Sequence, residues 1–208
     1  AGIAIVGGHT EFTDRYDVPV VAGTIFGTAP RVLRSDDVRP GDVLLMTKHA
    51  GLEGMTILAQ DRPDLLASCL QPDEAAEVKK WGASLSIGTE SRCLASMARF
   101  MHDPTEGGIM GGLSEIACQI PWGLELDPAA IPVHPLTIKA SRKLGFDPLR
   151  LISSGVLLAV LPGDQVENAM VELEKKQISC AIVGKVVEGK GNCPESFSEE
   201  LWGLLARE

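Results

Sequence analysis

Two short stretches of this 208-residue chain concentrate side chains that could handle an anion or a metal. One is Met101-His102-Asp103-Pro104-Thr105-Glu106-Gly107-Gly108-Ile109-Met110-Gly111-Gly112, which sets two carboxylates and four glycines where a helix starts. Asp103 fits an N-cap and Pro104 the first helical position. Glu106 falls three residues after Asp103, close to a capping box. The glycines are not explained by a cap. Each costs roughly 1 kcal/mol relative to alanine inside a helix. Their presence implies that something approaches this backbone closely, either a phosphate group or a packed neighbouring element.

The other stretch lies near the start, where Ile3-Ala4-Ile5-Val6 runs into Gly7-Gly8-His9-Thr10-Glu11. An apolar run ending in Gly-Gly reads as a buried strand and a tight turn. The turn delivers His9, Thr10 and Glu11 at the strand end, where ligand groups often sit. On the residues alone, His9 reads equally as a loop histidine and Glu11 as a solvated carboxylate.

The elements that must position these groups alternate along the chain. Residues 18–28 are rich in β-branched side chains and predict a strand, with Gly23 and Gly27 at a bend. A polar linker ends in the Pro40-Gly41 turn. Residues 43–47 predict a short buried strand, followed by a loop holding Lys48 and His49 and a helix at 55–59. Asp73 and Glu74 open a helix that Lys79 and Lys80 close. A helix over 90–101 places Leu94, Met97, Ala98 and Met101 on one face. The glycine-rich helix over 104–118 buries Ile109, Leu113, Ile116 and Ala117. A helix over 135–144 ends at Gly145, and 156–161 predicts a strand. Asp164 caps a helix with Val166, Met170 and Leu173 on one side, 181–187 predicts a strand, and 201–208 a packed terminal helix. The interleaving predicts an α/β class, an α+β sandwich.

Composition narrows the function classes. The chain is 45% hydrophobic, only 4% aromatic, and carries a net charge of −9. With no basic cluster longer than Lys79-Lys80, nucleic acid is not an expected partner. No apolar run approaches the ~20 residues that span a bilayer, and no secretory signal pattern is present. The five cysteines are widely spaced without a C-x-x-C pair. This predicts neither zinc nor a disulfide framework, but reduced thiols in a cytoplasmic protein.

Four segments in register carry a family resemblance: Gly7-Gly8-His9-Thr10-Glu11, Pro40-Gly41-Asp42-Val43-Leu44-Leu45, His102-Asp103-Pro104-Thr105-Glu106-Gly107-Gly108 and Ser154-Gly155-Val156-Leu157-Leu158. Together they resemble the aminoimidazole ribonucleotide (AIR) synthetase superfamily over nearly the whole chain. The nearest branch is the hydrogenase maturation factor HypE and its AIR-synthase-related relatives. The resemblance implies an AIR-synthase-like C-terminal domain over 35–208, preceded over 1–34 by the last strands of an N-terminal ATP-binding domain. The chain thus reads as part of a longer protein, which forms a homodimer through its N-terminal strands.

The implied cofactors are ATP and Mg2+, used to activate or phosphorylate a small amide-like or carbonyl substrate. Carried onto this sequence, the motifs make Asp103 and His9 catalytic. They place Gly7, Gly8, Thr10, Gly107 and Gly108 at the nucleotide, and Glu11 with Asp103 at the metal. The 48–54 loop and the helix after it lie near the cleft in the family. A maturation-protein partner is implied as well. Two positions depart from HypE: His9 stands where the branch carries aspartate, and Glu106 where it carries arginine. Glu106 is then read as the capping partner of Asp103. HypE factors also end in a flexible tail with a terminal cysteine, whereas residues 201–208 contain none. The expectation is therefore a related activity on another substrate, or a non-catalytic dimeric scaffold of the same fold.

Overall fold

The computed structural model describes residues 3–193 and 198–207. The chain divides into two compact units, Ala1–Val32 and Leu33–Glu208. Among the described residues of the first unit there is neither helix nor strand. The strands expected at 3–6 and 18–28 are corrected accordingly. β-Branched composition is a weak prior; a strand also needs a hydrogen-bonded neighbour, and no described segment of this unit supplies one. Ile5, Phe12 and Val21 are at least 90% exposed. His9, Thr10 and Glu11 lie in the same exposed stretch, not at a strand end.

The second unit is built on a five-stranded sheet of β1 (Val43–Thr47), β2 (Phe100–His102), β3 (Gly123–Leu126), β4 (Leu158–Leu161) and β5 (Cys180–Val187). The spatial order is β2-β4-β1-β5-β3, and every pair is antiparallel. The period of two in β1 sorts its side chains onto opposite faces. Leu44 and Met46 join Leu158, Val160 and Val183 on one face. That face is covered by α5 (Gly108–Gln119) through Ile109, Leu113 and Ile116. Leu45 joins Ala159 and Leu161 on the other, under α4 (Gly88–Leu94) and α7 (Val166–Glu174). A third apolar cluster binds α1 (Leu52–Asp61), α2 (Pro63–Ala67), α3 (Pro72–Lys80), α6 (Pro135–Leu144) and α8 (Leu201–Leu205). Mixed helices with an antiparallel sheet make this an α+β sandwich. Among the described residues no helix is long and apolar enough to cross a membrane.

Three helix expectations change. The helix expected over 90–101 stops at Leu94, because Phe100, Met101 and His102 pair with Val160, Ala159 and Leu158 as an edge strand. α7 starts from Gln165 after a 3-10 turn over Gly163–Gln165, so Asp164 is not its cap. α5 begins at Gly108 with Gly107 at the N-cap position, not with Asp103 as its cap. Gly107 and Gly108 both adopt left-handed φ, +81° and +63°, so no right-handed helical turn can run through them from Asp103. Asp103 and Glu106 therefore form no capping box. Glu106 instead accepts the indole N–H of Trp202 at 2.9 Å. At Gly108 the close approach comes from the chain itself: a Cβ there would lie 2.6 Å from the Leu149 carbonyl oxygen and 2.7 Å from that of Leu151.

Gly145, the α6 C-cap at φ +67°, is equally left-handed, but a Cβ there would meet nothing within 4 Å. Gly145→Ala should cost about 1 kcal/mol, the backbone term alone. Gly108→Ala adds backbone overlap and should cost about 3 kcal/mol or more. Denaturant titration of the two variants distinguishes crowding from conformation, and equal losses would contradict this packing.

Candidate functional site

The loop after β1 carries the most unusual local geometry in the second unit. Lys48 and Gln177 are the only non-glycine residues with positive φ among the described residues, at +56° and +59°. Both line one cleft of about 420 Å3, between the β1–α1 loop, the 81–90 region and the α7–β5 loop. Left-handed backbone at residues with a Cβ costs on the order of 1–2 kcal/mol each and persists only where the surroundings enforce it.

At Lys48 the enforcing contacts are visible. Its Nζ lies 2.6 Å from the Glu90 carboxylate, and the Glu90 side chain is only 2% exposed. The same ammonium donates to the carbonyl oxygens of Ser84 (2.7 Å), Gly155 (2.7 Å) and Ser86 (3.1 Å). Four acceptors surround three protons. Lys48 thus has no donor to spare for a ligand, and it braces β1, α4 and the segment before β4 together.

His49 turns the other way, into a cluster with Trp81 and His134. Ring centroids lie 4.7 Å apart for His49–Trp81, 4.6 Å for Trp81–His134 and 5.2 Å for His49–His134. Burial above all, opposed by the Ala50 carbonyl and reinforced by the nearby charges of His134 and Lys48, brings the His49 imidazole down from 6.5 to about 4. At neutral pH His49 is an uncharged ring with one donor and one acceptor nitrogen. Thr89 and Ser179 add hydroxyls, Leu52 and Ile178 apolar walls, and the exposed Lys176 a cation. The cleft suits a small polar, uncharged group such as an amide or carbonyl.

The residues expected from sequence are distributed as follows. Gly7, Gly8, His9, Thr10 and Glu11 belong to the first unit; Asp103, Gly107 and Gly108 belong to the second. Asp103 is exposed, on the loop between β2 and α5. The N–H of Gly107 donates to Glu199 at 2.7 Å. The Glu199 carboxylate also accepts from Ile152 (3.0 Å) and Leu201 (2.8 Å). One of the chain's own carboxylates therefore stands at the turn where the sequence suggested an anion. Glu90, Trp81, Gln177 and Glu199 were not legible as site residues. Nothing in a sequence links Lys48 to a carboxylate 42 positions away.

Among known proteins, residues 39–193 match the family described as AIR synthase related protein, C-terminal domain. The chain is 30% identical over 193 residues to carbamoyl dehydratase HypE of Rhizobium leguminosarum bv. viciae, covering 90% of this chain and 53% of that protein. A crystal structure of the hydrogenase maturation protein HypE superposes with a TM-score of 0.63 at 27% identity, over 79% of this chain and 50% of the other. A structure of HypE in complex with ATP gives 0.56 at 26%, over 74% and 44%. The chain spans about half the length of the relatives it matches.

Glu90→Gln leaves the Lys48 ammonium without its counter-charge and should cost about 3 kcal/mol, with most of the loss recovered in the K48M/E90Q double variant. Chemical denaturation of both measures this, and a neutral single variant would remove the brace. For His49 the ordinary value of 6.5 falls to about 4 on folding. Between those limits the unfolded chain takes up a proton that the folded chain does not. The contribution is therefore complete above pH 6.5 and lost as pH falls toward 4, on the order of 2–3 kcal/mol. His49→Gln should flatten the pH dependence of Tm across that window.

Proposed function

The chain belongs to the AIR synthase related proteins, and on that premise we propose that it supplies the C-terminal domain of an enzyme using Mg-ATP to activate or phosphorylate a small amide-like or carbonyl substrate. One observation carries the reading: identity of 30% sustained over 193 residues with a carbamoyl dehydratase. The relative described in complex with ATP supports the choice of nucleotide.

In this reading the cleft holds the substrate's polar head. The neutral imidazole of His49 and the hydroxyls of Thr89 and Ser179 meet an amide or carbonyl without adding charge, and the Lys48–Glu90 brace fixes the wall that carries them. Gly7, Gly8 and Thr10 in the first unit are proposed nucleotide contacts; so, in the second, is the 107–108 turn, where an incoming phosphate competes with Glu199 for the Gly107 N–H. His9 and Asp103 are each proposed as a proton-handling catalytic group.

Glu11 in the first unit and Asp103 in the second are each proposed as a magnesium carboxylate. Among the described residues no three His, Cys, Asp or Glu side chains converge as a metal cage. Magnesium needs none, since it keeps waters and takes one or two carboxylates beside substrate phosphates; Asp103, exposed and free of capping duty, fits that role. When bound, Mg-ATP would supply an activating phosphoryl group whose charge the metal offsets. A homodimer, a partner protein in hydrogenase maturation and a cytoplasmic setting belong to the same reading.

In the full-length protein, Asp103→Ala and Glu11→Ala should each lower Mg-dependent ATP turnover more than tenfold, about 1.4 kcal/mol in the barrier. Glu106→Ala should lower it less. Unchanged turnover in well-folded Asp103→Ala would take Asp103 out of the site. Failure of the wild-type protein to bind Mg-ATP by calorimetry would favour the non-catalytic scaffold.

A further inference from the structure

Cys118 and Cys193 line the same cavity, of about 490 Å3, at the corner where α5 turns into β3. Cys118 is exposed in the last turn of α5, and Cys193 is half-buried after β5. Both sides of this corner are held rigidly. The N–H of Asn192 donates to the Leu124 carbonyl at 2.9 Å. The Asn192 side chain accepts from the Leu126 N–H at 2.7 Å and donates to the Leu126 carbonyl at 3.1 Å. At Gly123 the neighbouring backbone comes so close that a Cβ would lie 2.3 Å from the Gly191 nitrogen. Three residues separate the end of α5 from the start of β3. The segment bearing Cys193 is thus pinned against β3, and Cys193 packs on the same core as Ile116 and Ala117 of α5, the residues just before Cys118.

We propose that Cys118 and Cys193 form a redox-responsive dithiol, closed to a disulfide by a low-molecular-weight disulfide oxidant such as oxidised glutathione. Cys118 reacts first because solvent reaches it. Its thiolate attacks the glutathione disulfide; that S–S bond breaks, a Cys118–glutathione bond forms and one glutathione leaves. Cys193 then loses its proton and attacks the Cys118 sulfur, expelling the second glutathione. In sum the protein gives up two protons and two electrons, and the oxidant becomes two thiols. Burial, and then the charge of Cys118, push the Cys193 thiol up to about 11. This makes Cys193 a poor first nucleophile in bulk solution, so it acts second, on a target that lines the same cavity. The bond would tie the end of α5 to the chain after β5, across the β3 edge of the sheet.

The test is to treat the native protein with oxidised glutathione, alkylate the remaining thiols and map peptides by mass spectrometry. The expected result is one Cys118–Cys193 cross-linked pair, two hydrogens lighter than the reduced pair. Cys69, Cys93 and Cys180 should be recovered alkylated, and Tm should rise by several degrees. Cys193→Ser should trap glutathione on Cys118, and Cys118→Ser should give no cross-link. Glutathione retained on Cys118 of the wild type with Cys193 alkylated, or both thiols recovered alkylated, would overturn the proposal.

Discussion

A buried charge must find its opposite, and the Lys48–Glu90 pair organises the cleft around that requirement. An unpaired ion in the interior costs several kcal/mol, so Glu90, 2% exposed, is tenable only with the ammonium against it. To reach it, Lys48 accepts a left-handed backbone at the end of the central strand. The same ammonium ties down the carbonyls of Ser84, Ser86 and Gly155, so three segments distant in sequence share one anchor. Bending the chain at Lys48 also sends the next side chain, His49, into its aromatic cluster with Trp81 and His134. The neutral histidine and the charged brace are two outcomes of one local conformation.

The glycine-rich turn before α5 illustrates how a sequence signal can be real while its cause stays open. Glycine at 108 is demanded by the carbonyls of Leu149 and Leu151, and the pair at 107–108 by positive φ. The expected cap at Asp103 fails because the helix cannot start before that pair. Asp103 and Glu106 remain on a loop, where one is exposed and the other meets Trp202.

Elements whose periodicity is local were legible: β1 over 43–47, α6 with its Gly145 cap, and the run of β5. They hold because short-range pattern and long-range packing agree. Met101 shows the opposite case. Its spacing from Leu94 and Met97 is helical, but pairing with Ala159 places it in a strand, and tertiary contact overrides the pattern. The first unit, Ile3 and Val18 included, carries strand-forming residues without a described strand. At the cleft, Lys48 and His49 read as loop residues that only the family resemblance places near a cleft. Glu90 and Gln177 carried no signal, because ion pairing and backbone strain arise between positions that the sequence separates.

The order of the strands has a consequence for synthesis. β1, the middle strand, lies between β4 and β5, pairing Leu44 with Val160 and with Gly184. Both partners are encoded more than a hundred residues after it. While the chain emerges from a ribosome, β1 waits with both edges and its leucines unsatisfied until β4 and β5 are made. So high a separation between contacting residues slows folding and leaves an adhesive strand uncovered in the meantime. Residues 43–47 are therefore where a nascent chain of this design is most exposed to wrong pairing, and where a chaperone would have most to shield.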